Sequence, residues 1–192
     1  MQAKNGGEFN IYPLAPERWD DLAKLFGLHG ADQGCWCMYW RRTPAAFKNS
    51  TNAENRQDFH SLVCNRLTHG LLAYSDDQPV GWCSLDPPDE LPKLSTSYWR
   101  SIDDQPVWSI ICFYIDPSYR HRGVATALLS AAIDYAQNRE VKILEAYPLI
   151  QDSEPFNQAG SYRGTIKMYQ DAGFVEVLRR NKLVIMRLYL SS

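Results

Sequence analysis

Two kinds of hydrophobic pattern recur along the chain. Short apolar or alternating segments predict strands in "FNIYPLA", "GLLAYSDDQPVGWCSLD", "VWSIICFYIDP", "VKILEAYPL", "FVEVLRR" and "LVIMRLYL", the second being a hairpin. Apolar stripes at helical spacing predict helices in "PERWDDLAKLFG", "TNAENRQDFHSLVCNRLTHG", "GVATALLSAAIDYAQN" and "GTIKMYQDAGF". The resulting order, β-α-α-β-β-β-α-β-α-β-β, predicts an α/β fold with a mixed sheet and helices on both faces.

Local signals refine two of these helices and one connecting segment. Thr51 and Glu54 have the spacing of a capping box, which predicts a helix start. The helix from Gly123 to about Asn138 is apolar nearly all round and should be sandwiched in the core. Residues 87–106 are rich in Pro, Ser and Asp, and a loop of this length is usually functional or disordered.

Composition limits the classes of function. A chain of 192 residues predicts one domain over 1–192, and a net charge of −2 predicts no general attraction to nucleic acid or membranes. The start, "MQAKNGGEFN", has no apolar signal-peptide core, so a cytoplasmic protein, monomeric or homodimeric, is expected. The odd count of five cysteines favours reduced thiols over a disulfide framework.

One segment, "YRHRGVATALL", combines positive charge with small residues at a helix start. Arg120, His121 and Arg122 precede Gly123, and Ala125 follows two places later. Unpaired amides, the helix dipole and arginine side chains together favour a phosphate group. Neither G-x-G-x-x-G nor G-K-[ST] is present, so the dinucleotide and P-loop motifs are absent. The alternative is a basic turn that simply precedes a helix.

Two motifs resemble one family. The segment "IDPSYRHRGVA" resembles V-x-P-x-x-R-x-x-G-x-G/A, the acyl-CoA-binding signature of the GNAT superfamily, and "IKMYQDAGF" resembles that family's late helix. The resemblance covers residues 107–178 tightly and the preceding chain loosely. It implies a GNAT fold, with a twisted, mostly antiparallel sheet of about six to seven strands and helices on both faces.

The resemblance also implies how acetyl-CoA binds. Strand 109–115 would splay from strand 142–147, and the cofactor would enter between them. Backbone groups of the first strand would pair with the pantetheine amides, and amides at the helix start would hold the pyrophosphate. The implied cofactor-binding residues are Phe113, Tyr114, Ile115, Arg120, His121, Arg122, Gly123, Val124, Ala125 and Thr126.

Catalytic roles follow from the same resemblance. Tyr169 matches the tyrosine that protonates the departing thiolate in this family, although it could merely pack on the sheet. Some relatives carry a carboxylate early in the central strand, where this chain has "VWSII". Glu145 is therefore the candidate base, with an ion-paired carboxylate as the alternative. A third option is that the amine loses its proton to water.

The aromatic segment "GCWCMYW" is the candidate acceptor wall, with plain aromatic packing as the alternative. The predicted substrate-binding residues are Trp36, Tyr39, Trp40 and Tyr147. An acidic loop would suit a cationic acceptor, although a solvated charged loop is the more common explanation of its acids. Arg41 and Arg42 would instead suit an acceptor that bears a carboxylate, so the acceptor's charge stays open.

A metal site is the remaining possibility in this region. Cys35, Cys37, His60 and Cys64 could supply four zinc ligands. However, C-x-C is not the usual zinc-knuckle spacing and small cysteines are common in cores, so we expect no metal.

Together these features predict an N-acetyltransferase. It would transfer an acetyl group from acetyl-CoA to the primary amine of a small-molecule acceptor, by direct attack in a ternary complex. The alternatives are a non-catalytic acyl-CoA-binding or sensing module and a protein N-acetyltransferase.

Overall fold

The computed structural model describes residues 9–96, 98–99, 102–148, 161–181 and 183–191. Within them, seven strands form one sheet in the order β1-β2-β3-β4-β5-β7-β6. Only β4 and β5 pair in parallel, and the other pairs are antiparallel. This confirms the predicted mixed, mostly antiparallel sheet. The strands are β1 Asn10–Pro13, β2 Gly70–Ser75, β3 Gln78–Asp86, β4 Trp108–Ile115, β5 Ile143–Ala146, β6 Val175–Arg180 and β7 Leu183–Tyr189.

The four predicted helices are present, together with two short ones that the sequence pattern did not reveal. The helices are α1 Trp19–Phe26, α2 Met38–Arg41, α3 Pro44–Lys48, α4 Asn52–Cys64, α5 Val124–Gln137 and α6 Ile166–Asp171. The capping box of Thr51 and Glu54 begins α4 as predicted. In the described parts of the chain, no helix is both long and apolar enough to cross a bilayer.

Separate apolar clusters pack on the sheet. One contains α5 and α6 residues, such as Leu128 and Tyr169, packed with Phe113 of β4. Another contains Leu22 of α1 and Phe59 of α4. Six residues of α5 are buried, so this helix is a core element, as its nearly uniform apolar pattern predicted.

Helix α5 approaches the sheet at a glycine. A Cβ on Gly81 would stand 2.6 Å from Cγ1 of Val124, which is closer than two carbon atoms can pack. We expect Gly81→Ala to lower the free energy of unfolding by about 1–3 kcal/mol, because α5 must shift away from β3. Urea unfolding measures this change, and an unaltered value would mean that the start of α5 can move without cost.

Strands β4 and β5 part in the middle of the sheet. They pair only from Trp108 to Ile110 of β4. Beyond that point β4 continues to Ile115 on β3 alone, among the strands that the structure describes. In the β3–β4 register, Ser84 faces Cys112 and Leu85 faces Ile110, so β4 has one extra residue at the point of divergence. The splay that the family resemblance implied is thus present, and beyond it no described strand pairs with β4 on that side.

The long segment after β3 is not a free loop. It contains two single turns of 3-10 helix, Pro88–Glu90 and Pro92–Ser95. Leu91, Leu94 and Trp99 are buried against the sheet, so apolar packing holds the described part of this segment. Its acidic side chains Asp89, Glu90, Asp103 and Asp104 are nevertheless exposed.

Candidate active site

The chain turns sharply between β4 and α5. Asp116 accepts a hydrogen bond from the backbone N–H of Ser118 at 2.8 Å, and this contact starts a single 3-10 turn. Helix α5 then begins after Gly123, whose φ is 85°, a conformation that favours glycine. Gly123, the residue before the helix, has no side chain to cap it, so the first-turn amides, from Val124 onward, have no side-chain partner among the described residues.

The space around this helix start can accept an anion. A Cβ on Gly123 would meet no atom within 4 Å, so the approach to the amides is open. The side chains of Arg120, His121 and Arg122 are exposed at its rim, with the Arg122 guanidinium 5.2 Å from the Tyr119 ring centre. Open amides, a helix dipole and two arginines fit a pyrophosphate group.

The β4 residues predicted to contact the cofactor lie on different faces of the strand. Phe113 is buried in the cluster that contains α5, and Ile115 packs at the edge of that cluster. Tyr114 is half-buried on the other face, where its ring lies 5.5 Å from Phe26. These residues stand where β4 has separated from β5, so their main chain can bind an added strand-like group.

A cavity of about 360 Å³ lies beside this part of β4. Its volume falls in the range of small-molecule sites. The lining contains the predicted Tyr39 and Trp40, but neither Trp36 nor Tyr147. The lining residues are Ala31, Asp32, Gln33, Cys35, Cys37, Tyr39, Trp40, Phe47, Cys112, Phe113, Tyr114, Tyr162 and Arg163.

The side chains of Trp36 and Tyr147 pack elsewhere. The Trp36 ring lies 5.8 Å from that of Trp19, and its Nε1 donates to Asn52 Oδ1 at 2.5 Å. Tyr147 is almost fully buried, and its ring stacks on Trp40 at 6.2 Å. Tyr147 therefore supports one wall of the cavity from behind, whereas Trp36 belongs to the cluster under α1 and α4.

Tyr169 is fully buried on α6. Its hydroxyl donates to the carbonyl oxygen of Arg163 at 3.0 Å, and its ring lies 6.5 Å from that of Phe113. Burial raises the pKa of Tyr169 well above its ordinary value, so the phenol keeps its proton at neutral pH. Tyr169 is thus a hydrogen-bond donor beside the strand that parts from β5.

Glu145 is also fully buried, and both of its carboxylate oxygens are occupied. One accepts from the Tyr147 hydroxyl at 2.6 Å and the other from Arg187 Nε at 2.6 Å. Arg187 in turn donates to both oxygens of Asp103, at 2.8 and 2.9 Å. This arrangement is the ion pair that was the alternative to a catalytic base, and it connects the long loop to the centre of the sheet.

The two arginines that could have bound a substrate carboxylate are already paired. Arg41 forms a buried ion pair with Asp86, and Arg42 forms a surface ion pair with Asp58. Asp86 also accepts hydrogen bonds from Thr68 and from the backbone of His69, so it belongs to the sheet and not to an acidic lid.

The four proposed zinc ligands do not form one site. Cys35 and Cys37 lie at the cavity, whereas Cys64 Sγ contacts His60 Nε2 at 3.3 Å on α4. In the part of the chain that the structure describes, no group of three or more His, Cys, Asp or Glu side chains could hold a metal ion.

The thiols at the cavity differ from one another in acidity. A hydrogen bond from the Cys112 thiol lowers the pKa of Cys37, whose Sγ also accepts from Trp82 Nε1 at 3.1 Å. Burial raises the pKa of Cys35 to about 12. All three cysteines line the cavity, so its wall contains thiols of different acidity.

Sequence reasoning did not identify Tyr162 and Arg163 as site residues. They precede α6 in a single 3-10 turn, Ser161–Arg163, and reach the cavity only because that turn packs beside β4. No motif in the sequence marks them.

Comparison with known proteins agrees with the fold. Residues 33–174 match the Acetyltransferase (GNAT) family. An uncharacterised N-acetyltransferase of Methanocaldococcus jannaschii is 28% identical over 99 residues, 52% of this chain and 35% of that protein. Aminoglycoside N(6')-acetyltransferase type 1 of Acinetobacter haemolyticus is 27% identical over 89 residues, 46% of this chain and 57% of that protein. The matched region therefore spans about a third of the first relative and just over half of the second.

A solved structure extends the similarity to nearly the whole chain. The Salmonella typhimurium protein yncA, solved with its cofactor acetyl-CoA, superposes with a TM-score of 0.54 at 16% identity. The superposition covers 96% of this chain and 95% of that one. Because the family match extends over most of the sequence, this chain belongs to the GNAT family of acyl-CoA-dependent N-acyltransferases.

Proposed function

We propose that this protein is an N-acetyltransferase that transfers the acetyl group of acetyl-CoA to the primary amine of a small-molecule acceptor. The observation that carries the proposal is the arrangement around β4. Among the described residues, the strand has no pairing partner beyond Ile110 on one side; it ends near the uncapped start of α5 and borders a cavity of about 360 Å³. Donor and acceptor can therefore meet at one strand in a ternary complex.

The cofactor would be held mostly by main chain. The amides at the start of α5 and the side chains of Arg120 and Arg122 would bind the pyrophosphate, and the open edge of β4 would bind the pantetheine amides. Acetyl-CoA supplies an acyl group activated as a thioester. A free β4 N–H would stabilise negative charge on the acyl oxygen during attack.

Proton transfer would use this chain's own groups. Tyr169 would donate its hydroxyl proton to the departing sulfur, after releasing the hydrogen bond to Arg163. Glu145 would act as base only if a proton reached an oxygen that Tyr147 or Arg187 now occupies. We therefore favour water as the first acceptor of the amine's proton.

A small acceptor is favoured over a protein substrate by the shape of the site. The cavity is bounded on one side by β4 and on the others by the segment 31–35, α2 and the turn at Tyr162. A concave space in which six of the thirteen described lining residues are aromatic suits a small molecule better than an extended peptide.

Acetyl-CoA binding is the direct test. At about 100 times its dissociation constant, acetyl-CoA should stabilise the native protein by about 2.7 kcal/mol, measured as an increase in Tm. Gly123→Val should weaken binding by about tenfold or more, because a branched side chain would fill the open space above the amides.

Gly173→Val is the matched control. Gly173 also has a positive φ, 89°, but lies between α6 and β6. The Gly173→Val variant should therefore carry similar backbone strain, and acetyl-CoA should still raise its Tm. If acetyl-CoA leaves the Tm of the wild-type protein unchanged at saturating concentration, the proposed function is wrong.

A further inference from the structure

The cavity contains a buried positive charge that no described carboxylate neutralises. Arg163 is only 5% exposed. Among the described residues its guanidinium forms no ion pair, and one of its nitrogens donates to the carbonyl oxygen of Tyr147 at 3.1 Å. Burying a guanidinium without a counter-charge is costly, so a native structure that keeps one needs a reason.

Aromatic rings compensate this charge only in part. The Arg163 guanidinium carbon lies 4.9 Å from the Trp99 ring centre and 5.8 Å from that of Tyr162. Burial lowers the pKa of Arg163, but an arginine remains charged at neutral pH. Asp32, which also lines the cavity, makes no ion pair with it.

Two buried hydrogen-bond donors at the cavity also lack partners. Arg163 Nε and Trp40 Nε1 are both inaccessible to solvent and unpaired. Both side chains contact the Trp99 ring, with the Trp40 and Trp99 ring centres 4.7 Å apart, so they are neighbours on one wall. Buried donors are nearly always paired, and two unpaired donors at one cavity indicate a place for an oxygen-bearing ligand.

A second buried cation lies at the same wall. Lys93 is 9% exposed, and its Nζ stands 3.3 Å from the ring centre of Tyr39, a cavity residue. It forms no ion pair within the described ranges of the chain. The local potential is therefore positive, although the whole protein has a net charge of −2.

We infer that the acceptor is a small primary amine that also carries a carboxylate and an apolar or aromatic body, such as an amino acid with an apolar side chain. The carboxylate would pair with the Arg163 guanidinium, and Arg163 Nε and Trp40 Nε1 would donate to it once small side-chain movements open them to the cavity. The aromatic walls would enclose the body. This inference rests on the proposed function. It also disfavours polycationic acceptors, because Asp32 is the one carboxylate among the described lining residues.

Binding of paired probes tests the inference without turnover. Isothermal titration should show that 3-phenylpropanoate binds about tenfold or more tightly than 3-phenylpropan-1-ol, because only the first presents a charged acceptor. Arg163→Gln should lower the affinity for the carboxylate by about 10- to 100-fold and leave that for the alcohol nearly unchanged. Trp40→Phe should weaken carboxylate binding by a smaller factor, since it removes one neutral donor.

Controls separate recognition from structural damage. Arg66→Gln, which removes an exposed arginine of another surface pair, should bind both probes like the wild type. Arg163→Lys keeps the charge but loses the planar fork, so it should restore part of the preference for the carboxylate. A merely structural role of Arg163 would weaken both probes equally and would overturn the inference.

Turnover provides the second readout. With acetyl-CoA, phenylalanine should be acetylated with a higher kcat/KM than phenethylamine, which differs from it only by the carboxylate. Equal or better use of phenethylamine, or no binding of 3-phenylpropanoate, would overturn the inference. In either case, if acetyl-CoA still increased the Tm of the wild-type protein, the proposed function would not be contradicted.

Discussion

Replacing Tyr169 with Phe is expected to lower kcat about 100-fold, because a departing thiolate would lose its positioned proton donor. The phenol is fully buried and its raised pKa keeps it protonated, so it can act as a donor at neutral pH. Steady-state release of free CoA thiol measures kcat. Binding of acetyl-CoA, measured by the increase in Tm, should be nearly unchanged.

The loss of a buried hydroxyl also affects stability, and a second tyrosine controls for it. Tyr169→Phe removes the hydrogen bond to Arg163, which should cost about 1 kcal/mol. Tyr74→Phe removes a similar bond to Asp21, 2.8 Å long, on a strand remote from the cavity. Its kcat should remain at the wild-type level. A Tyr169→Phe enzyme as active as the wild type would show that Tyr169 only packs on the sheet.

The second large effect is expected from Arg187. Its side chain is fully buried and bridges Glu145 in the sheet to Asp103 in the long loop. Arg187→Met should lower the free energy of unfolding by about 3–5 kcal/mol, since it leaves the carboxylate of Glu145 buried without a counter-charge. Urea unfolding measures the change, and Arg180→Met, at an exposed position of β6, should be nearly neutral.

A double variant identifies the cause of that loss. Glu145→Gln combined with Arg187→Met removes the buried carboxylate together with its partner, so it should recover part of the lost stability. If the double variant were no more stable than Arg187→Met alone, lost packing and not an unpaired charge would explain the effect. Hydrogen bonds from Arg187 lower the pKa of Asp103, so this pair contributes at neutral pH and its contribution is lost as the pH falls through that lowered pKa.

Elements with a regular period could be predicted from sequence alone. Helix α5 has 14 residues of uniform apolar pattern, and α4 has a capping box, so local spacing was sufficient. Helices α2 and α3 have four and five residues, too few to show a period. They form because the aromatic segment packs against the sheet and the loop after β3.

The acceptor cavity could not be predicted in the same way. Trp36 and Tyr39 are three residues apart in one aromatic run, yet Trp36 packs under α1 and Tyr39 lines the cavity. Likewise, Arg41 and Arg42 suggested a carboxylate site, but distant acids already pair with both. A cavity-lining cation without an ion pair among the described residues is Arg163, which lies more than 120 positions further along the chain.

By itself, the sequence determined the order of the strands and of the four helices with a clear apolar pattern, indicated the GNAT family and predicted an anion-binding start of α5. These properties depend on neighbouring residues, because periodicity, caps and exposed amides are local. Only the tertiary structure decided which aromatic and charged side chains face the cavity and which charges are neutralised. A buried charge is stable or costly according to what lies within a few ångströms, and in this protein those neighbours come from distant parts of the chain.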